Sequence, residues 1–327
     1  MTRISRRSLL CGLTASLASA ACGRGGGVPG VVRIGYLASL SHAPVIAGVA
    51  SGRFEAALGG AVRVEPRVFR AGPRIVEALL GRAIDVGVSG PAPIVVALAR
   101  HGPGTLSVLS GCASGGASLV VTRRSGVSRP LALRRRQVAT VQLGSTQDVA
   151  LRKYLREAGL DAVEHGGDVQ VLALAAPSIL LQMRRGELAG AWLPEPWATR
   201  AVHELDGVRI VDERDRWPDR AFPSALVVTR SDFADARRTL TADLTHAVRA
   251  EILRARQTPG VVEQESFDAI GHLVGNAGAR PVFHEALDRV DFTSDPLPVA
   301  VDAFASDACA LGFIPRVACG SLFDTQV

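Results

Sequence analysis

Leu119-Val120-Val121-Thr122-Arg123 recurs further along the chain as Leu226-Val227-Val228-Thr229-Arg230. Each copy reads as an apolar strand closed by an arginine and a polar turn. Between the copies lies a segment of about 100 residues with a strand–helix rhythm of its own. Gln137 to Val141 reads as a strand, Thr146 to Ala158 as a helix and Val169 to Leu172 as a strand. Ile179 to Arg185 then reads as a helix and Gly190-Ala191-Trp192 as a strand. The simplest architecture is one lobe inserted into another, with the repeated strands as the two crossings.

The flanking sequence has the same rhythm. Val31 to Tyr36 opens as a strand, Ala43 to Leu58 is helical, and Val62 to Phe69 alternates as a second strand. Arg74 to Leu80 is a helix, Ile84 to Val88 a short buried strand and Pro93 to Arg100 another helix. Strands alternating with helices predict a mainly parallel sheet covered on both faces. After Arg230 the pattern turns helical over Leu240 to Gln257, Gln264 to Asn276, His284 to Val290 and Leu297 to Leu311. The expected division is lobe 1 over 31–122 and 226–327, with lobe 2 over 123–225.

The first residues predict export. Arg3, Arg6 and Arg7 precede an apolar stretch from Leu9 to Ala21 and then small residues before Cys22, which is the layout of a secretory signal. Ser5-Arg6-Arg7-Ser8-Leu9-Leu10 adds the paired arginines of the twin-arginine route. The apolar run is about 13 residues, short of the ~20 that span a bilayer. Residues 1–21 are therefore expected to be a twin-arginine signal peptide. Cys22, followed by glycine-rich residues 23–30, has the surroundings of a lipid-modified N-terminal cysteine on a flexible tether. Plain cleavage after Ala20 or Ala21 is the alternative.

Charge and cysteines narrow the classes. The chain has 37 basic and 31 acidic residues, a net charge of +6. Loss of Arg3, Arg6 and Arg7 with the signal leaves a balance of +3. That is no nucleic-acid footprint. No second apolar run reaches membrane-spanning length, so the mature chain is expected to be soluble and monomeric. Beyond the signal, Cys112, Cys309, Cys319 and Cys22 remain. Cys309 and Cys319 are the nearer internal pair, and no Cys/His spacing resembles a zinc site.

Four junctions between elements are rich in Ser, Thr and Gly: Ala38 to Pro44, Val88 to Pro93, Ala113 to Ser118 and Leu143 to Asp148. Junctions at the carboxyl ends of parallel strands are where small ligands bind. Helix N-terminal amides and the dipole favour an anion there, and glycine lets the backbone approach. The alternative for each is ordinary helix capping by Ser or Thr. His42, at a helix start, reads equally as a ligand contact or as a packed cap. In Trp192-Leu193-Pro194-Glu195-Pro196-Trp197, two prolines fix a turn. Glu195 is then held for a ligand or a backbone amide, and Trp197 either walls a cleft or is part of a structural corner. Asp85 is expected to cap or pair structurally. No nucleophile elbow, phosphate loop or paired-histidine helix is present, so binding is preferred to catalysis and no cofactor or metal is expected.

At these residues the chain resembles the substrate-binding proteins of bacterial ABC uptake transporters, in the sulfonate/nitrate/taurine group. The likeness rests on Ile34 to Pro44, Phe54 to Gly59, Phe69 to Pro73 with Glu77 to Leu79, and Gly81 to Gly87. It continues through Gly90 to Pro93, Gly144 to Arg152, Glu195 to Trp197 and the tail from Ser294 to Phe313. The resemblance implies two Rossmann-like α/β lobes joined by two crossover strands, with a ligand cleft between them. It further implies delivery to a membrane permease with a cytoplasmic ATPase. Ser41, His42, Ser89, Gly90, Gly115, Gly116, Ser145, Thr146 and Gln147 are the cleft-lining candidates it implies. Gln147 stands at the helix start that faces the anion in relatives, and Glu195 and Trp197 follow. The implied ligand is a small oxyanion such as an aliphatic sulfonate. A heterocyclic ligand, an exported enzyme on the same fold with Glu195, Asp148 or His42 as base, or a sensory partner that presents ligand to a membrane receptor are the alternatives.

Overall fold

The structure is a computed structural model that describes residues 30–60, 62–275 and 277–324. The expected signal peptide, Cys22 and the tether as far as residue 29 lie outside the described residues. Eleven strands are described: β1 (Val31–Leu37), β2 (Arg63–Phe69), β3 (Val86–Ser89), β4 (Leu106–Gly115), β5 (Ala117–Thr122), β6 (Gln137–Thr140), β7 (Gln170–Ala173), β8 (Gly190–Pro194), β9 (Gly207–Asp212), β10 (Pro223–Arg230) and β11 (Val290–Phe292). They form a six-stranded sheet, β11-β4-β10-β3-β1-β2, and a five-stranded sheet, β7-β6-β8-β5-β9. Both are mixed rather than mainly parallel. β1 pairs parallel with β2 and β3, whereas β10 runs antiparallel to β3 and β4. In the second sheet β6 pairs parallel with β7 and β8, and β5 runs antiparallel to β8 and β9.

The repeated pentapeptides are not the crossings. Leu119 to Thr122 lies within β5 and Leu226 to Arg230 within β10, each between two neighbours of its own sheet. Alternate side chains of a strand face opposite ways. Accordingly Leu119 and Val121 enter one core and Val120 another, while Leu226 and Val228 part from Val227 in the same way. A strand buried on both faces reads as a continuous apolar run, which is why the two copies look alike. The outward change of sheet falls at Gly115-Gly116, ahead of residue 122. The return runs through two short 3-10 turns, Glu213–Arg216 and Pro218–Arg220, before β10.

Helices cover both faces of each sheet. In lobe 1, α1 (Ala43–Ala50), α2 (Arg53–Ala57), α9 (Arg238–Gln257), α10 (Pro259–Val274) and α11 (Arg280–Leu287) lie on one side. α3 (Gly72–Leu80), α4 (Pro91–His101) and α12 (Pro298–Ala310) lie on the other, and α8 (Ser231–Ala236) follows β10. In lobe 2, α5 (Thr146–Glu157) covers one face, and α6 (Ala176–Arg185) and α7 (Trp197–Leu205) the other. The single helix expected over 43–58 is broken at Gly52, whose φ of 72° cannot continue α1. Asp85 forms a structural pair with Arg33 at 2.9 Å. Cys112, Cys309 and Cys319 are all free, so the 309–319 pair is not formed. Among the described residues no helix is long and apolar enough to cross a membrane, and no cluster of three or more His, Cys, Asp or Glu could hold a metal.

Candidate functional site

β1, β2, β3 and β4 end at one edge of the first sheet, and β6 and β8 end at one edge of the second. The chain joins these two edges, so the junctions after these strands face each other across a cleft. The third junction contains no helix start. It is the bend between β4 and β5, with Gly115 at φ 75° and Gly116 at φ 72°.

The lobes touch where α4 and α5 begin. A Cβ on Gly90 would lie 2.9 Å from Thr146 Oγ1 and 3.5 Å from the Ser224 carbonyl oxygen. A Cβ on Gly72 would lie 3.2 Å from Ser89 Oγ. Ser89, Gly90 and Thr146 are therefore brought together, joined by Gly72 and Ser224. The Ser89 and Ser224 hydroxyls are buried without a hydrogen-bond partner. Such a buried group costs about 1–3 kcal/mol, a cost offset when a ligand supplies the missing bond. Ser224 has no place in the sequence reading, and Gly72 enters it only within the family likeness of Phe69 to Pro73. Ser224 stands at the start of an antiparallel strand, where no helix-capping pattern marks it.

α5 is set firmly in place. Ser145 Oγ caps it by accepting from the Asp148 amide at 3.2 Å. Asp148, fully buried, accepts from the Gly144 amide at 2.8 Å and from Arg152 Nε at 3.0 Å. Burial pushes the Asp148 carboxyl up, against the pull of these donors. Ser145 is thus occupied as a cap. The Thr146 and Gln147 amides, first in the helix, have no intrahelical acceptor within reach. They are positioned to donate into the cleft, where the helix dipole favours an anion. Gln147 is half-buried at the same helix start.

The other candidates are placed differently. Ser41 is half-buried beside Ser39, with the two hydroxyls 3.3 Å apart. His42 Nδ1 accepts from the Leu37 amide at 3.1 Å. Its burial lowers the imidazole pKa to about 3, so it is a neutral brace at the end of β1. Gly115 is covered by the Arg214 side chain and Gly116 by Val290. Both act in the crossover, where Gly116 O accepts from the Glu195 amide at 2.8 Å. Glu195 is buried, with Arg209 Nη1 at 2.8 Å from one oxygen and the Thr199 amide donating to the other at 3.0 Å. Burial raises its pKa, opposed by Arg209. Its carboxylate thus holds the corner before α7. Trp197 is half-buried, with the Arg200 guanidinium 4.5 Å over its ring.

One cation was missed. Phe69 pairs in register with Leu37, so Arg70 opens the junction after β2 beside Ala38. Arg70 is exposed, has no ion-pair partner among the described residues, and directly precedes the Ala71-Gly72 turn against Ser89. In the sequence the stretch Phe69 to Pro73 carries the family likeness, and it lacks the Ser/Thr richness that marks the four junctions.

Two α/β lobes, crossed twice by the chain and meeting over helix N-termini and orphan hydroxyls, define the class of two-lobed periplasmic binding folds. The chain belongs to the NMT1-like family, whose model matches residues 28–257. It is 29% identical over 172 residues to the taurine-binding periplasmic protein of Escherichia coli (strain K12), covering 53% of this chain and 51% of that one. The chain thus spans about half the length of that relative. It shares its fold with the alkanesulfonate-binding protein of Xanthomonas axonopodis pv. citri, at TM-score 0.74 and 18% identity, covering 91% and 99% of the two chains. The periplasmic aliphatic sulphonate binding protein of Escherichia coli superposes at TM-score 0.75 and 19% identity, covering 90% and 92%.

Proposed function

We propose that this chain is the extracytoplasmic solute-binding component of an ABC uptake transporter. It captures a small oxyanion, such as an aliphatic sulfonate, by lobe closure and delivers it to a permease coupled to a cytoplasmic ATPase. The observation that carries this reading is the meeting of the two lobes at Gly90 and Thr146, beside the unpartnered Ser89 and Ser224 hydroxyls. The α5 N-terminus supplies amides there, the Ala92 amide between Pro91 and Pro93 is the one that the first turn of α4 adds, and Arg70 supplies charge at the mouth. The names of the taurine and sulfonate relatives point the same way. Export through the twin-arginine segment and a lipid on Cys22 would place a monomeric carrier at the membrane surface.

Closure follows from the geometry. Each lobe offers only part of a hydrogen-bonding shell, so a ligand is fully held only when the lobes meet. Its binding free energy therefore favours the closed arrangement. A second reading, a neutral heterocyclic ligand, is favoured by the absence of charge from Ser89, Gly90, Thr146 and Ser224. An exported enzyme is disfavoured: Asp148 is buried and committed to donors, Glu195 is buried in an ion pair with Arg209 while its other oxygen accepts from the Thr199 amide, and His42 is a neutral brace. Titration with alkanesulfonates should raise the melting temperature, since ligand at about 100 times Kd stabilises by about 2.7 kcal/mol. A shift with a pyrimidine and with no sulfonate would replace the first reading by the second.

A further inference from the structure

The net positive charge of the described chain is gathered at one end of lobe 2, remote from the cleft. Four of the 37 basic residues precede residue 30, so 33 face 31 acidic ones over the described residues, an excess of two. At the far end, Arg123-Arg124 follow β5, Arg134 to Arg136 precede β6, and Arg184-Arg185 close α6. These seven meet four carboxylates, Asp168, Glu187, Glu204 and Asp206, an excess of three. The rest of the described chain is left with one net negative charge.

All seven arginines are exposed. Several of their ion pairs are loose: Arg134–Asp168 at 3.6 Å, Arg184–Glu204 at 3.6 Å and Arg185–Glu187 at 3.9 Å. Arg135 and Arg136 have no ion-pair partner among the described residues. Two adjoining hollows of about 330 and 430 Å³ share Arg124 as a wall. Large apolar side chains stand beside the charges. Leu131, 51% exposed, lies three residues before Arg134, and Leu181, 47% exposed, shares a helix face with Arg184 and Arg185. The face lies at the amino ends of β6 and β8, whereas the cleft lies at their carboxyl ends.

We infer that this face docks onto an anionic phospholipid surface. Arginines interspersed with exposed leucines match lipid phosphates backed by an apolar layer. An acidic protein would match the charges and leave the leucines without purpose. The contact keeps the protein at the membrane while its cleft stays free.

The test is partition of the full chain onto vesicles of phosphatidylcholine with and without phosphatidylglycerol. The N-terminal segment is common to all variants, so it cancels in the comparisons between them, and those comparisons assign the binding to this face. Binding to the anionic vesicles should exceed binding to neutral ones about tenfold and fall with salt. Arg134→Glu/Arg135→Glu/Arg136→Glu should lose about tenfold, and Arg184→Gln/Arg185→Gln a smaller part. Arg237→Glu/Arg238→Glu/Arg256→Glu, exposed positions on lobe 1, should bind like the parent. Unchanged melting curves establish that the variants fold. Equal binding of the parent to both vesicles, or of all variants to the anionic ones, overturns the inference. Binding of polyglutamate without preference for anionic vesicles also overturns it, in favour of an acidic protein partner.

Discussion

Ser89 Oγ is a buried hydroxyl that no protein group satisfies. Replacing it tests whether it is kept for a ligand. Ser89→Ala should leave the ligand-free protein as stable as the parent or slightly more so, because an orphan donor is removed. The same change should weaken ligand binding about fivefold to tenfold, read by calorimetry alongside thermal melting. Loss of stability with unchanged affinity would make Ser89 a packing residue. Ser89, Gly90 and Thr146 could be named from the sequence because hydroxyl and glycine residues at a strand end before a helix are a local pattern. Glu195 was harder to read. Its carboxylate is held by Arg209, which lies on β9, and nothing local links the two positions. His42 is ambiguous in the sequence for a similar reason, since the amide it accepts from belongs to the preceding strand.

The crossover elements carry two predictions. Gly115 and Gly116 both hold left-handed φ, and an added Cβ would lie 2.5 Å from Arg214 Cδ and 2.8 Å from Val290 Cγ2 respectively. Gly115→Ala or Gly116→Ala should cost about 1–3 kcal/mol or more, seen as a lower melting temperature. Arg214 explains the close approach, since it bonds Asp291 of lobe 1 at 2.7 Å and Asp212 of lobe 2 at 3.3 Å.

In the return turn, Glu213 is fully buried. It accepts from Trp217 Nε1 at 3.0 Å, and its other oxygen is unpartnered. Burial raises its pKa to about 7, opposed by Trp217, Arg216, Trp192 and Lys153. A carboxyl with a raised folded pKa gives stability that is full below its unfolded value. That stability is lost as pH rises from the unfolded value through about 7. Glu213→Gln should therefore flatten the fall in stability over that window and, at pH 8, unfold at higher denaturant than the parent. An unchanged pH profile would contradict this. Central strands buried on both faces carry the same apolar signature wherever they lie, so the sequence does not distinguish β5 and β10 from crossings. The true crossings are two glycines and a pair of short turns, which have no periodicity to detect. β4, β9 and the three-residue β11 have no counterpart in the sequence reading: β4 is buried throughout, yet Ser107, Ser110, Gly111 and Ser114 break its apolar run, and β9 and β11 carry charged residues within them.

At the scale of the molecule, the lobes are linked by more than the crossovers. Lys153 of α5 pairs with Asp307 of α12 at 2.6 Å, Arg156 donates to the Ala310 carbonyl at 2.6 Å, and His203 of α7 meets Glu285 of α11 at 2.6 Å. Trp217 packs against core side chains of both lobes. The inserted-lobe architecture was legible because strand–helix alternation resumes after an interruption and a helical tail completes the first lobe. Which residues of one lobe touch the other was not legible, because those contacts join positions far apart in sequence. The central claim is that an oxyanion is held where the lobes meet. Its most direct test is calorimetric titration of the parent and Gly90→Val with a panel of alkanesulfonates, taurine, nitrate and a pyrimidine. The account predicts saturable one-site binding of at least one oxyanion by the parent. Gly90→Val should weaken it about tenfold or more, because the added side chain strikes Thr146 as the lobes close. No oxyanion binding, or equal binding by both proteins, would contradict it.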